Sequence, residues 1–467
     1  MIHLLRALPP EAVRRRIGFA PWARGDVGMK RKVVILGVGS TYFTRSIIEG
    51  LIRVGGEWEV AMVDIDERPL GVAMRLGQRM CHLYDGRLAV TGSVDRRDVL
   101  EGAGTVVSVI GVGGRTAWMD DLLLGRRHGA YQTTADTSGI GGLSRALRTV
   151  PQLLAIARDI EELCPDALLV NFTNPMSVNC RALALSSSIR TIGLCTGVRA
   201  FQHRLAERCG VDPRETRCEA IGVNHFTWIT SLRSGTEELL DRLLDEAVGG
   251  TGLPGGRLTT DLFRAFRAFP VVGDHHISEF IPTLLGEGQF YGTTLGFDGE
   301  RDTAAEYFRT YDRTEADMAA QADGSMPIEK KDLHDPDRQY SDEDFFAEFL
   351  DALEGNRELQ CTVNLPNVGQ CVDLPRGAIV ESTAVVDAAG VHPFCAATVS
   401  PGLSAILHRI ITVHELVARA AMDSDRTLAV QALLADLTAR SLAEAEAIVD
   451  DILQTHQAWL PQFPQRD

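Results

Sequence analysis

The chain has 467 residues, 45% of them hydrophobic and 24% charged, with a formal net charge of -16 and a pI near 5.3. That is the composition of a globular protein of two or three domains, or of two interlocked ones. An acidic chain without a long basic run speaks against a nucleic-acid partner, and no apolar run approaches the roughly 20 residues that span a bilayer. Nine cysteines without a paired framework read as reduced thiols, which places the protein in the cytoplasm.

Residues 1–28 carry Pro9-Pro10 and Arg14-Arg15-Arg16 but lack the continuous apolar core of a secretory signal, and read as an N-terminal extension. Lys32 to Leu36 is an apolar run ending in Gly37-Val-Gly-Ser40, the pattern of a buried parallel strand. A helix is expected over Thr44–Val54 and strands over Glu59–Val63 and Thr105–Ile110. Leu143–Leu163 has helical spacing, with Pro151 as a kink or restart. Ala167–Phe172 and Thr191–Leu194 read as strands, with a helix over Ser177–Leu185 between them. This alternation predicts a doubly wound parallel sheet, an α/β Rossmann-like domain over residues 29–200. In such sheets ligands bind beyond the carboxyl ends of the strands. Gly37–Ser40, Asp64, Gly113–Arg115, Thr173-Asn174 and Cys195 all fall there.

Residues 201–467 form a mixed second domain for substrate and oligomerisation. Glu219–Leu232 reads as a strand or hairpin interrupted at Asn224-His225, and Gly249–Gly256 as a glycine-rich loop. Leu262–Phe269 and Ile277–Leu285 are expected helices, Lys330–Asp344 a charged surface insertion, and Val380–Val386 a strand. Leu403–Leu453 is expected to be mostly helix.

Several residues have both a chemical and a structural reading. Gly37, Gly39 and Ser40 match a dinucleotide loop, in which backbone N–H groups approach a pyrophosphate at a helix N-terminus, although Tyr42 replaces the third glycine. Asp64 at the next strand end can accept both ribose hydroxyls and favours NAD over NADP; its structural alternative is a helix cap. Asn174 can hold an amide or a hydroxyl pair, or simply close an Asx turn. Cys195 and His225 can ligate one borderline-soft metal, or be a small buried hydrophobe and a satisfied histidine. Asp274 in Gly273-Asp274-His275-His276 can be a general base or a capping carboxylate.

The stretches Tyr131-Gln-Thr-Thr-Ala-Asp-Thr-Ser-Gly-Ile-Gly-Gly142, Arg145-Ala-Leu-Arg-Thr-Val-Pro151, Cys164-Pro-Asp166, Asn171-Phe-Thr-Asn-Pro-Met176, Gly193-Leu-Cys195, Gly222-Val-Asn-His-Phe226 and Gly273-Asp274-His275-His276 resemble glycoside hydrolase family 4. The resemblance is to its α-galactosidase and α-glucosidase branch. It continues through Asn364-Leu-Pro-Asn367, Leu374-Pro375, Val391-His-Pro393 and the Ala429–Leu437 segment, covering roughly residues 30–465. It implies a fold related to lactate and malate dehydrogenases, NAD+, a divalent metal such as Mn2+, and a homodimer or homotetramer. It implies an exception to the two-carboxylate glycosidase scheme: oxidation at sugar C3, loss of the C2 proton, elimination of the leaving group, addition of water and return of the hydride.

By the same resemblance, Cys195 and His225 hold the metal, Asn174 touches substrate and nicotinamide, Asp274 is the C2 base, and Asp136 protonates the leaving oxygen. Asn224 also falls at the substrate. Two departures stand beside this site. Thr196-Gly197 follow the metal cysteine where the family has His-Ser, and Ser138 replaces a Leu. Both make room, and Arg115, His275 and His276 could then meet an anionic sugar, a uronide or the sulfosugar sulfoquinovose, through the bidentate fork of an arginine. The expected activity is therefore NAD-dependent cleavage of an α-linked, non-phosphorylated glycoside, with an anionic sugar as the alternative. A net NAD-dependent dehydrogenase and a non-catalytic NAD or sugar sensor are the competing readings.

Overall fold

In a computed structural model the protein is described over residues 31–84, 86–284, 289–290, 293–294, 303–330 and 345–463. The N-terminal extension and most of the expected 330–344 insertion lie outside the described residues. Six parallel strands open the fold: β1 (Arg31–Leu36), β2 (Trp58–Val63), β3 (Leu88–Ser93), β4 (Thr105–Ser108), β5 (Leu168–Asn171) and β6 (Arg190–Gly193). They stand in the order β3-β2-β1-β4-β5-β6. The helices between them are α1 (Thr41–Val54), α2 (Glu67–Leu83), α3 (Gly114–Arg127), α4 (Gly139–Leu163) and α5 (Met176–Ser186), with α6 (Gly197–Arg208) after β6. β4 and β5 are buried throughout, which is why they read as unbroken apolar runs. The chain order reverses between β1 and β4, and this switch point opens a crevice at the carboxyl ends.

Pro151 does not restart the helix, for α4 runs unbroken from Gly139 to Leu163. Having no N–H, it leaves the Leu147 carbonyl without its helical donor, and Gln462 Nε2 donates to that oxygen at 3.1 Å.

The second half extends the same sheet. Its elements are β7 (Thr216–Val223), β8 (Phe226–Ser234), β9 (Glu237–Glu238), α7 (Leu239–Val248), α8 (Arg257–Phe266), β10 (Phe269–Val271), α9 (Asp274–Ile277), β11 (Gln289–Phe290), β12 (Thr293–Thr294), α10 (Thr303–Asp323), α11 (Phe345–Leu353), β13 (Leu359–Pro366), β14 (Ile379–Asp387), β15 (Gly390–Pro393), α12 (Pro401–Asp423), α13 (Arg426–Asp436) and α14 (Leu442–Thr455). β13 meets β6 antiparallel at Asn364 and Gly193, and the sheet runs on through β14, β7, β8 and β10. The segment expected as a helix over Leu262–Phe269 ends its helix at Phe266, and Phe269 begins a strand paired with β8.

The core crosses the boundary between the halves. Val33, Ile35, Val60 and Val107 pack in one cluster with Phe345, Phe346, Phe349, Val363 and Val386. Burying a Phe side chain of this kind contributes roughly 1.5–3 kcal/mol, so α11 is bound into the first half by its apolar face. No helix among the described residues is long and apolar enough to cross a membrane.

Candidate active site

At the end of β1 the chain turns through Gly37, whose φ of +93° suits glycine. The N–H groups of Gly37 and Val38 donate to the Val63 carbonyl at 2.8 and 3.2 Å. Asp64 closes the turn by accepting from the N–H of Gly39 at 2.8 Å and of Asp66 at 3.1 Å. The cap of α2 is Asp66, not Asp64. Ser40 begins α1 without a side-chain cap and the first turn holds no acid, while Thr41 Oγ1 is buried without a partner. The N–H groups of Gly37 and Gly39 are thus engaged within the turn, and the Thr41 hydroxyl with the first-turn N–H groups of α1 fits an anion such as a pyrophosphate at the helix start.

Asp136 stands in the loop between α3 and α4. That loop lies directly on the first turn of α4 because Gly141 and Gly142 have no side chains. A Cβ on Gly141 would come 2.4 Å from the Ala135 Cβ, and one on Gly142 would come 2.5 Å from the Thr137 carbonyl carbon. Asp136 accepts from the Thr137 hydroxyl at 2.7 Å and from Asn174 Nδ2 at 2.9 Å. The Thr137 hydroxyl proton is thereby committed, so His225 Nδ1, 2.8 Å from Thr137 Oγ1, is the donor to it and His225 Nε2 keeps its lone pair. His225 occupies a two-residue turn between paired Val223 and Phe226, at a φ of +65° that is uncommon for any residue but glycine.

His276, on α9, stacks against His225 with ring centroids 4.2 Å apart, and its Nδ1 lies 3.8 Å from Asp136 Oδ1. One ligand atom from each of Asp136, His225 and His276 lies within 4.8 Å of the others. His276 Nδ1 is buried with no hydrogen-bond partner. Its separation from Asp136 is too long for a hydrogen bond but close to twice a metal–nitrogen or metal–oxygen distance of roughly 2.1 Å. Two imidazoles and a carboxylate are a donor set suited to a divalent first-row cation.

Burial opposes the charge on Asp136, but the facing His276 and His225, Arg145 and the Thr137 hydroxyl outweigh it and hold the carboxyl well below the usual range. Burial likewise keeps His276 neutral far below the ordinary imidazole value, aided by His225 and His275 and opposed by Asp136. His275 is pushed down to about 4, by burial first and then by His225. An ionised Asp136 beside neutral imidazoles suits the holding of a cation or a sugar hydroxyl.

The other expected residues are placed as follows. Asp274 lies at the start of α9, and its carboxylate accepts from the N–H groups of Leu258 and Thr259 at 3.0 and 2.8 Å and from the Thr259 hydroxyl at 2.8 Å. It thereby caps α8, the structural role left open in the sequence. Arg115 is not turned to the Asp136 cluster. It pairs with Asp312 and with Glu315 on α10 and lies over the Phe308 ring. Cys195 is not a member of the Asp136, His225 and His276 group. Its Sγ accepts from Gly197 N–H at 3.4 Å and packs beside Met176, Cys180 and Ile379. Asn224 is wholly buried in the His225 turn. Asn174 Oδ1 is buried without a partner and aims a free acceptor into the site.

The expected extra room is filled. The Ser138 hydroxyl donates to the Glu279 carbonyl at 3.0 Å, and a Cβ on Gly197 would stand 2.2 Å from Val272 Cγ1.

The sequence assigned no role to two buried carboxylates. Glu279 falls in the titratable run Gly273–Phe280, one helical turn after His276. Burial and the Asp136 charge push it up to about 7, against the N–H groups of Ala135 and Thr134 and the Thr133 hydroxyl. Glu381 interrupts the apolar run of β14, and a charged residue in a buried strand is itself a flag. It accepts from the Thr227 hydroxyl at 2.5 Å and from Asn364 Nδ2 at 3.2 Å, beneath the His225 turn. Burial pushes it up to about 7. Arg145 was seen only as part of a motif. It lies over the Trp118 ring at 5.6 Å and has no ion pair among the described residues.

A nucleotide-type parallel sheet with a polar cluster beyond the carboxyl end of β5 defines the class of protein. The chain matches the sequence model of the family 4 glycosyl hydrolases over residues 32–211 and that of the family 4 glycosyl hydrolase C-terminal domain over residues 220–439. It belongs to glycosyl hydrolase family 4 and is a glycosidase. It is 26% identical to the α-galactosidase of Bacillus subtilis (strain 168), over 93% of this chain and 100% of that one. It is 32% identical to the α-galacturonidase of the same organism, over 91% and 97% of the two chains. The crystal structure of lplD from Bacillus subtilis superposes with a TM-score of 0.79 at 28% identity, covering 91% of this chain and 100% of that one. The 6-phospho-β-glucosidase of Thermotoga maritima shares the fold at a TM-score of 0.75 and 18% identity, over 92% and 99% of the chains.

Proposed function

We propose that the protein is an NAD+-dependent glycosidase that cleaves an α-linked, non-phosphorylated sugar by transient oxidation at C3 and elimination across C1 and C2. The observation that carries this reading is the Asp136, Asn174, His225 and His276 cluster, in which Asn174 Oδ1 and His276 Nδ1 are buried without a hydrogen-bond partner among the described residues. Solved family structures described as complexes with NAD and Mn2+ support both groups. When bound, NAD+ would supply a hydride acceptor for C3 and a divalent cation would polarise the oxygens at C2 and C3.

The chain's own residues do the rest. Gly37, Gly39 and Ser40 would receive the pyrophosphate, with Asp64 at the adenosine ribose. Asn174 would orient a nicotinamide amide or a sugar hydroxyl through its free Oδ1. His225 and His276, with Asp136, would hold the cation, and Cys195 at the start of α6 is the further soft donor. Asp274 would take the C2 proton. The ionised state of Asp136 favours its binding role over the acid role.

A second reading, an anionic sugar, is favoured by the 32% identity to a relative named α-galacturonidase and by Arg145, which lies over Trp118 and has no ion pair among the described residues. A uronide fits that reading first and sulfoquinovose second. We place the enzyme in the cytoplasm as a homodimer or homotetramer. Release of aglycone from a panel of galactosides, glucosides, uronides and sulfoquinovosides, with NAD+ and with or without Mn2+, tests the reading. Stoichiometric accumulation of NADH would instead indicate a net dehydrogenase.

A further inference from the structure

The two segments that carry Asp136 and His276 are joined by one side chain. Glu279 is 2% exposed. Its Oε1 accepts from the N–H of Thr134 at 2.5 Å, the N–H of Ala135 at 2.9 Å and the Thr133 hydroxyl at 3.2 Å. Its Oε2 lies 3.4 Å from Gln132 Nε2. The contacts run in both directions. The Ser138 hydroxyl donates to the Glu279 carbonyl at 3.0 Å, and the single Thr133 hydroxyl proton is shared between Glu279 Oε1 and the closer His275 carbonyl. Residues 132–138 therefore clasp residues 275–279 on both sides of Asp136. Ala135 is held at a φ of +54°, a conformation that a non-glycine residue keeps only where its surroundings impose it. Among the described residues no hydrogen bond links Asp136 directly to His276; their 3.8 Å separation is set by the segments that carry them.

We propose that Glu279 is a positioning residue that fixes the spacing of Asp136 and His276, and with it the affinity of the site for a divalent cation. This rests on the reading of Asp136, His225 and His276 as cation holders. Groups that orient metal ligands without touching the metal change affinity by about 10–100-fold when removed. Glu279 acts one step further back, through the backbone that bears a ligand.

The test is Mn2+ titration calorimetry on the full-length protein without substrate, for the wild type, Glu279→Ala, Glu279→Gln and Thr133→Val. Each variant's fold is checked by circular dichroism well below its melting temperature. Glu279→Ala is expected to bind Mn2+ about 10–100-fold more weakly. Glu279→Gln keeps the Oε1 acceptor and is expected to recover most of the affinity. Thr133→Val, which loses both hydroxyl bonds, is expected to fall between them and serves as the test if Glu279→Ala does not fold. Wild-type affinity in folded Glu279→Ala, or in folded Thr133→Val where Glu279→Ala is lost, overturns the positioning role alone. A wild type that binds no Mn2+ overturns the cation reading and the positioning role together.

Discussion

His276 Nδ1 faces Asp136 Oδ1 across 3.8 Å, with His225 stacked on the same imidazole. The pairing brings the N-terminal sheet's rim against α9 of the second half, so the site exists only where the two halves meet. It also predicts a cation site in which His276 takes part. His276→Ala is expected to lower Mn2+ affinity at least about tenfold, the low end of the range for loss of a site-orienting group. Unchanged affinity in calorimetry would leave Cys195 and His225 as the holders.

Asp274 has two assignable roles that one pair of variants separates. Asp274→Asn keeps an acceptor for the start of α8, so its melting temperature is expected to stay near wild type while kcat falls about 10²–10⁴-fold, the usual contribution of a positioned acid or base. Asp274→Ala loses the cap as well, at about 1 kcal/mol. An active Asp274→Asn would make the carboxylate a cap alone.

Under the proposed function Asp64 would set cofactor choice. Its carboxylate at the end of β2 is held by Gly39 and Asp66 and would repel a 2′-phosphate. Asp64→Ser is expected to weaken NAD+ binding and narrow the preference over NADP+, as read by equilibrium fluorescence titration. A ratio of affinities equal to wild type would remove Asp64 from the cofactor site.

Glu381 gives the pH dependence a definite sign. Its carboxyl ionises near 4.5 when unfolded and, through burial, near 7 when folded. Between these values the folded chain keeps a proton that the unfolded chain has released, so this group's contribution to stability falls as pH rises from 4.5 to 7. The full loss is about 3 kcal/mol. Glu381→Gln stays neutral and is expected to be relatively more stable than wild type at about pH 8 than at about pH 5 in urea unfolding. Parallel curves would contradict this assignment.

The Rossmann half was legible because Val33–Leu36, β4 and β5 are buried on both faces and lie in largely apolar runs, closed by Gly37 after β1 and Gly111 after β4 and opened by Pro165-Asp166 before β5. β3 escaped because, as an edge strand, it alternates half-buried and exposed positions within Leu88–Ser93. The turn at Asn224-His225 was visible as a break in a long strand, and it is a hairpin. What local patterns could not show was partnership. Arg115 reads as a free arginine at a strand end, yet α10 supplies Asp312 and Glu315 to it. Asp274 reads equally as base and cap until α8 is folded against it. The meeting of His276 and Asp136 depends on a clasp at Glu279 that carries no spacing signal across the chain.

The proposed cleavage removes the C2 proton and recycles NAD+. Turnover of an aryl α-glycoside, with the uronide and galactoside in parallel, is followed in D2O with NAD+ and Mn2+. Deuterium at C2 of the released sugar and no net NADH are expected. Hydrolysis that leaves C2 wholly protiated would contradict the proposed cleavage.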